Sequence, residues 1–105
     1  MVKKVNTKEA IIQRILEVRE RLAFFGVRNV GLFGSFVRGE QTSLSDVDIL
    51  VEFMPEKHTF DNFMDVAFLL EELLGRKVEV VTPEALSPHI GPHILREVER
   101  VSIAA

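Results

Sequence analysis

The sequence predicts an α/β fold of the α+β type, a small mixed sheet backed by helices, and three observations lead to this class. Of the 105 residues, 47% are hydrophobic and 28% are charged, which is typical of a globular chain and excludes a disordered or collagen-like one. Stretches with helical periodicity alternate with short β-branched stretches, as in sheets covered by helices. The length and the absence of a Pro/Gly/Ser-rich linker predict one domain over residues 1–105.

Composition and charge exclude several classes of protein. Cysteine is absent, so no disulfide framework, thiolate metal site or cysteine nucleophile is available. No apolar run approaches the roughly 18–20 residues that span a bilayer, and no signal-peptide pattern opens the chain, so we expect a cytoplasmic protein with no membrane partner. The net charge of −3 argues against binding long nucleic acid through a basic surface.

The first predicted element is a helix that begins at Asn6 or Thr7. Asn6 and Glu9 have the spacing of a capping box, in which side chains satisfy the free backbone N–H groups at a helix start. One apolar stripe follows at steps of three and four residues and consists of Ile11, Ile15, Val18 and Leu22. Gly26 is predicted to end this helix, because glycine readily adopts the left-handed conformation that follows many helices.

Three strands are predicted, over residues 27–33, 46–53 and 77–81. The second strand has a clear two-residue period. Its two faces carry Val47, Ile49, Val51 and Phe53 on one side and Asp46, Asp48, Leu50 and Glu52 on the other. The third strand is short and β-branched, with Pro83 just beyond it.

Two more helices complete the predicted order α-β-turn-β-α-β-α. One spans residues 60–74 and stops at Gly75. Its inward side chains are expected to be Phe60, Phe63, Met64, Ala67, Leu70 and Leu74. A short helical turn from Glu84 is broken by Pro88 and Pro92 and leads into a last amphipathic helix. The buried side of that helix is expected to carry Ile94, Leu95, Val98 and Val101.

The first strand ends in Gly34 and Ser35, within the run Val-Gly-Leu-Phe-Gly-Ser. Gly34 leaves backbone N–H groups uncovered by a β-carbon, and Ser35 adds a hydroxyl. A helix that starts directly afterwards would complete a phosphate cradle. Taken alone, the Gly-Ser pair favours an ordinary strand-to-helix turn.

Two carboxylates, Asp46 and Asp48, open the second strand. Residues two apart on a strand project from one face with Cα atoms about 6.5–7 Å apart, so both can converge on a hard cation such as Mg²⁺. An exposed polar face is the alternative, but Asp is a poor strand former and the mutual repulsion needs a cation or a basic group to offset it. Glu79, in the third strand, faces either solvent, which its local pattern favours, or the same cleft.

The Gly34-Ser35 turn, the Asp46-Val47-Asp48 motif that follows after ten intervening residues, and an acidic residue in a later strand together resemble the nucleotidyltransferase superfamily of DNA polymerase beta. The segment GSFVRGEQTSLSDVDILVEF, residues 34–53, is similar to the minimal nucleotidyltransferases, single-domain proteins whose genes are paired with a HEPN-domain protein in bacteria and archaea. The resemblance extends from the first helix to the Val-Val-Thr-Pro-Glu-Ala-Leu stretch at 80–86. It implies the nucleotidyltransferase fold for this chain.

The resemblance implies nucleotide-binding roles for four residues. Gly34 and Ser35 match the turn that holds the nucleotide triphosphate. Arg38 matches an arginine after that turn and would contact phosphate, although a solvated surface arginine is the competing interpretation. Ser45, directly before the Asp-x-Asp pair, is included in the nucleotide-binding set.

The resemblance also implies three catalytic and metal-binding carboxylates. Asp46 and Asp48 match the pair that ligates two Mg²⁺ ions. The third carboxylate of the family is usually Asp, and this sequence has Glu79 there. The charge is kept, but the extra methylene group is expected to shift the geometry of the second metal, so Glu79 is the one departure from the family pattern.

The implied reaction is transfer of AMP from ATP to an acceptor hydroxyl, a tyrosine of a cognate HEPN ribonuclease toxin, which would make this protein an antitoxin. Three carboxylates holding two metals suit such a transfer, since it needs positioning and neutralisation of developing charge. No Ser/His/Asp arrangement competes, and His58, His89 and His93 lie outside the motif.

Two other functions stay open at this stage. One is an antitoxin that neutralises its partner by occlusion, with Glu79 as a sign of weakened catalysis. The other is the catalytic subunit of a small-molecule nucleotidyltransferase. Because the motifs use most of the 105 residues, the acceptor is expected to be a separate protein. The sequence leaves the assembly state open, a homo-oligomer included.

Overall fold

Four strands, β1 (Val27–Phe33), β2 (Val47–Phe53), β3 (Val78–Val81) and β4 (Glu99–Ser102), form one mixed sheet within residues 4–103, the part of the chain that the computed structural model describes. Their order across the sheet is β3-β2-β1-β4. β1 pairs antiparallel with β2 and with β4, whereas β2 and β3 are parallel. A mixed sheet was predicted, and the first three strands lie where the sequence placed them.

The helices of the described part are α1 (Lys8–Glu17), α2 (Arg19–Phe24), α3 (Ser35–Arg38), α4 (Phe60–Leu74) and α5 (Gly91–Glu97). Short 3-10 turns lie at Pro55–Lys57 and Pro83–Ala85, the second of them in the predicted helical turn. Within residues 4–103, no helix combines the length and the apolar character needed to cross a bilayer.

The first predicted helix is confirmed in position but is interrupted at Val18, which separates α1 from α2. Thr7 is its N-cap, because the Thr7 hydroxyl accepts the N–H of Ala10 at 3.1 Å. The capping box from Asn6 is wrong, since the Asn6 side chain is used elsewhere and accepts a hydrogen bond from Arg76 at 3.1 Å. Gly26 follows α2 with φ +89°, as predicted for the residue that ends the helix.

The hydrophobic core lies between the helices and one face of the sheet. The predicted inner face of β2 is confirmed, and its buried residues are Val47, Ile49, Val51 and Phe53. α1 and α2 contribute Ile11, Ile15 and Leu22 from the predicted stripe. On the opposite face of the sheet, Leu50 is also buried and packs near the second 3-10 turn.

α4 has the predicted bounds, and Leu70 and Leu74 are buried as predicted, but its buried face is shifted from the predicted one. The buried residues are Val66, Leu69, Leu70 and Leu74, whereas Phe60 is 76% exposed. The prediction that Phe60 points inward is wrong because Phe60 opens the helix at its solvent-facing end. α4 is apolar on most sides, so periodicity alone does not identify the row that faces the core.

The predicted last helix is too long. α5 ends at Glu97, and the following residues form β4 on the outer edge of β1, where Val101 pairs with Val30. Val98 and Val101 are therefore not helical, and Leu95 is 48% exposed. A strand that completes a sheet edge is stabilised by its distant partner, which local periodicity does not report.

Candidate active site

The parallel pairing of β2 and β3 places two carboxylates side by side. Asp48 is the register partner of Glu79, so both lie on one face of the sheet with their Cα atoms about 4.8 Å apart. Asp46 lies two residues before Asp48, directly before β2. Glu79 is exposed, as its local pattern suggested, and it also shares the face of Asp48. Glu79 can therefore face solvent and the Asp48 side of the sheet at the same time.

The electrostatic environment of Asp48 is unfavourable to its own charge. Burial, then repulsion from Glu79 and Asp46, raises the pKa of Asp48 to about 6, and Glu97 adds to this while Arg38 opposes it. Within residues 4–103, the carboxylates of Asp46, Asp48 and Glu79 make no ion pair or hydrogen bond. The site therefore carries negative charge that the described residues leave uncompensated.

Gly34 allows the backbone to lie against the Asp48 carboxylate. Gly34 has φ +82°, a conformation that side-chain-bearing residues rarely adopt, and a Cβ there would lie 2.1 Å from Oδ2 of Asp48. Ser35 follows and begins the four-residue helix α3. Its hydroxyl makes no hydrogen bond to any residue of the described part. The backbone at Gly34 and the carboxylate of Asp48 are therefore brought together.

Glu97 is a site residue that the sequence did not indicate. Its Oε2 accepts the N–H of Gly34 at 2.7 Å, and its Oε1 accepts from Nη1 of Arg38 at 2.7 Å. These two donors, the Gly34 N–H and the Arg38 guanidinium, are called the anion cradle below. The Gly34 N–H, with Arg38, holds the pKa of Glu97 below its usual value. Arg38 also donates to Glu40 at 2.8 Å, so it is an ion-paired residue of the site.

Arg76 is a second residue that the sequence did not indicate. Its guanidinium is buried and donates to the carbonyl oxygen of Val5 at 2.6 Å and to that of Ser45 at 2.9 Å. It also donates to Ser43 at 3.2 Å and lies 5.1 Å from the centre of the Phe36 ring. Arg76 thereby ties the loop that precedes Asp46 to the N-terminal segment.

Ser45 takes part in the structure of that loop. Its hydroxyl accepts the N–H of Thr42 at 2.8 Å, and its carbonyl accepts from Arg76. These contacts shape the turn that leads into Asp46. A contact of Ser45 with nucleotide stays a prediction.

A cleft of about 480 Å³ opens beside the acidic residues, between α4 and β3. Asp46 and Glu79 line it on one side, and Phe63, Met64 and Val80 supply apolar surface. Its size and its mixed walls suit a planar ring next to charged groups. The histidines lie apart from these residues, with the His58 ring stacked on Phe53 at 5.1 Å.

Comparisons with known proteins identify the family. The model of the nucleotidyltransferase domain family matches residues 12–101. Over 82 residues, 78% of this chain and 79% of the relative, the chain is 48% identical to protein adenylyltransferase MntA of Thermococcus cleftensis.

Two solved structures share the fold. One, described as a minimal nucleotidyltransferase, superposes with a TM-score of 0.68 at 33% identity, over 84% of this chain and 93% of that one. A toxin–antitoxin structure determined with AMP-PNP superposes with a TM-score of 0.65 at 24% identity, over 85% of this chain and 70% of that one. The family match over residues 12–101 and the 48% identity to the Thermococcus cleftensis relative show that the chain belongs to the nucleotidyltransferase domain family.

Proposed function

We propose that this nucleotidyltransferase transfers AMP from ATP to a tyrosine hydroxyl of a HEPN-family toxin and so acts as an antitoxin. The observation that carries the proposal is the pairing of Asp48 with Glu79 on the face where Gly34 packs against Asp48. The relative from Thermococcus cleftensis is named a protein adenylyltransferase, which favours a protein acceptor over a small molecule. The cleft beside Glu79, with its mixed polar and apolar walls, has room for a tyrosine ring.

The reaction exchanges one bond at phosphorus for another. The acceptor oxygen bonds to the α-phosphorus of ATP, the bond from that phosphorus to the bridging oxygen breaks, and pyrophosphate leaves. The hydroxyl proton passes to a carboxylate, and Glu79 is exposed at the cleft where the acceptor would enter. The protein's contribution is positioning and stabilisation of developing negative charge, for which Arg38 and the Gly34 N–H are the available donors.

The three carboxylates fit Mg²⁺ as its protein ligands. All offer oxygen, and none is paired within residues 4–103. Burial, and then repulsion from Glu79 and Asp46, raises the pKa of Asp48, and a bound cation would offset both effects. Among residues 4–103, no three His, Asp or Glu side chains are arranged so that they could hold a metal ion by themselves. Mg²⁺ usually keeps water and substrate phosphate among its ligands, so Asp46, Asp48 and Glu79 would hold it from one side. When bound, it supplies charge neutralisation at the phosphates.

The direct test mixes the protein with Mg-ATP and the product of the adjacent gene, then measures the partner's intact mass. We expect the mass of AMP to be added to a tyrosine, and none with Asp48→Asn in place of the wild type. An unchanged mass with wild-type protein would contradict the proposal.

Two further measurements separate the alternatives. An occluding antitoxin would still protect a host from the toxin after Asp46→Ala and Asp48→Ala are combined. A small-molecule nucleotidyltransferase would label an acceptor from a compound library when given labelled ATP without any partner protein. We expect neither result.

Gly34→Ala is expected to lower the rate of AMP transfer by about 100-fold, because the new Cβ displaces the Asp48 carboxylate and small misplacements at a reacting centre have effects of that size. Gly39→Ala is the control for placing an alanine at positive φ without a steric clash. Gly39 also has positive φ, at +73°, but a Cβ there meets no atom within 4 Å.

Gly34→Ala carries the larger backbone strain, because φ +82° with ψ −154° is a conformation that essentially only glycine adopts, whereas Gly39 at φ +73° and ψ 22° is left-handed helical and costs an alanine about 1 kcal/mol. Urea unfolding measures both costs. Only Gly34→Ala should lose transfer activity beyond the effect of reduced stability. Equal activity losses in the two variants would show that backbone strain, and not displacement of Asp48, is responsible.

A further inference from the structure

A carboxylate of the protein itself fills the anion cradle formed by the Gly34 N–H and the Arg38 guanidinium. We propose that Glu97 is an internal competitor for the nucleotide phosphate, which must displace the Glu97 carboxylate to enter the cradle. This inference rests on the proposed nucleotide site. If it holds, Glu97, at the junction of α5 and β4, lowers the affinity of the protein for nucleotide.

The contacts of Glu97 are those that a phosphate group would make. Its two oxygens lie 2.7 Å from the Gly34 nitrogen and 2.7 Å from Nη1 of Arg38, within the range of charge-assisted hydrogen bonds. A backbone N–H beside a guanidinium is a typical phosphate-binding pair. Because the Gly34 N–H has a single proton, it cannot fully serve a carboxylate and a phosphate together. Binding of one group therefore excludes the other.

The position of Glu97 is built into the fold. Gly31 has no side chain, and a Cβ there would lie 2.3 Å from Cγ2 of Val98, so the glycine lets the residue after Glu97 pack onto β1. β4 then starts at Glu99, which pairs with Leu32 near the end of β1. The Glu97 side chain is only 22% exposed as a result. The residues that follow Glu97 are packed on and paired with β1, which holds the carboxylate at the cradle.

The charge balance indicates why displacement matters. Arg38 is paired with both Glu40 and Glu97, so these three groups together carry a net negative charge. Glu97 also lies close enough to Asp48 to contribute to the raised pKa of that residue. A triphosphate approaching the intact cradle meets a net negative charge, whereas removal of Glu97 leaves Arg38 paired with Glu40 alone and that pair neutral. Nucleotide affinity should therefore rise when Glu97 is neutralised.

The experiment measures the binding of Mg-ATP and of inorganic tripolyphosphate to the full chain by calorimetry. Glu97→Gln keeps the shape of the side chain and removes its charge, and Glu97→Ala removes both. Glu99→Gln is the matched control, because it makes the same change of charge two residues away, where Glu99 pairs with Lys8 at 2.9 Å.

We expect about fivefold tighter binding of both ligands by Glu97→Gln, a larger gain with Glu97→Ala, and no change with Glu99→Gln. Tripolyphosphate lacks the base and ribose, so a parallel gain would place the competition at the phosphates. Unchanged or weaker binding by both Glu97 variants would overturn the proposal and make Glu97 a positioning residue for Arg38. Thermal unfolding checks that Glu97→Gln is folded.

The outcome for the proposed function is read separately. If the Glu97 variants bind ATP and tripolyphosphate more tightly but the wild-type protein adds no AMP to its partner, the role of Glu97 as a competitor is supported and the proposed reaction is contradicted. If wild type adds AMP and the Glu97 variants do not bind tighter, only the competitor fails. If neither wild type nor any variant binds ATP or tripolyphosphate, both are contradicted.

Discussion

Asp48→Asn is expected to lower AMP transfer by at least about 100-fold while making the metal-free protein more stable. The loss of activity follows from removal of a charge that would hold Mg²⁺ at the phosphates, and 100-fold corresponds to about 2.7 kcal/mol of transition-state stabilisation. The gain in stability follows from the environment of Asp48. Its charge is disfavoured by burial and by the neighbouring carboxylates of Glu79 and Asp46.

The pH dependence of this gain has a definite sign. The pKa of Asp48 is about 6 in the folded protein, above the roughly 3.9 of an unfolded chain. Well below pH 4 the Asp48 carboxyl is protonated in both the folded and the unfolded state, so it does not lower the free energy of unfolding. As pH rises from 4 to 6 the unfolded state loses its proton first, so the folded state loses stability, and the full cost is present at pH 7. Two pKa units correspond to about 3 kcal/mol, and solvent screening of this half-buried group reduces the expected cost to about 1–2 kcal/mol.

Urea unfolding without metal at pH 7 and at pH 4 measures this effect. Asp65→Asn is the control, since Asp65 is an exposed residue of α4. We expect Asp48→Asn to exceed wild type by about 1–2 kcal/mol at pH 7, with little difference at pH 4, and Asp65→Asn to match wild type at both. A less stable Asp48→Asn at pH 7 would mean that the carboxylate has a stabilising partner.

The elements whose bounds were predicted correctly are those that begin and end at local sequence signals, such as capping residues and glycines. β1 has its predicted bounds because its apolar residues end at Gly34, and α4 has its predicted bounds because Thr59 caps it and Gly75 ends it with φ +67°. The Thr59 hydroxyl accepts the N–H of Asn62 at 3.1 Å. The Gly-Ser and Asp-x-Asp motifs were recognised for the same reason, since each is a local pattern.

The features that escaped the sequence depend on contacts between distant residues. β4 forms because Val101 pairs with Val30 on β1. The sequence from Val98 onward fits a helical period as well as it fits a strand. The orientation of Glu79 depends on the register of β3 against β2, and a shift of one residue would turn its side chain to the other face. Glu97 reaches Gly34 over 63 residues of sequence, and no local pattern marks that contact.

Arg76 is the clearest such case, and Arg76→Met is expected to lower the free energy of unfolding by about 3–4 kcal/mol. The buried guanidinium is satisfied by carbonyl oxygens, including those of Val5, Ser43 and Ser45. Each buried acceptor left without a partner costs about 1–3 kcal/mol. Methionine replaces only part of the contact that the Arg76 side chain makes with Phe36. Arg100→Met is the matched control, because Arg100 is exposed and pairs with Glu52 at the surface, so its loss should cost about 1 kcal/mol or less.

The same variant should also lower AMP transfer by more than its loss of stability explains. Arg76 donates to the carbonyl oxygens of Thr42, Ser43 and Ser45 in the loop that leads to Asp46, so its removal frees the Asp46 carboxylate to move while Asp48 stays fixed in β2. Arg76→Lys tests whether charge or donor geometry is responsible, since lysine keeps the charge but cannot donate from three nitrogens in a plane. We expect Arg76→Lys to be nearly as destabilised as Arg76→Met in urea, with a reduced kcat at temperatures where it is fully folded. Full recovery by lysine would show that a positive charge alone, without the planar fork, is enough to hold the Asp46 loop.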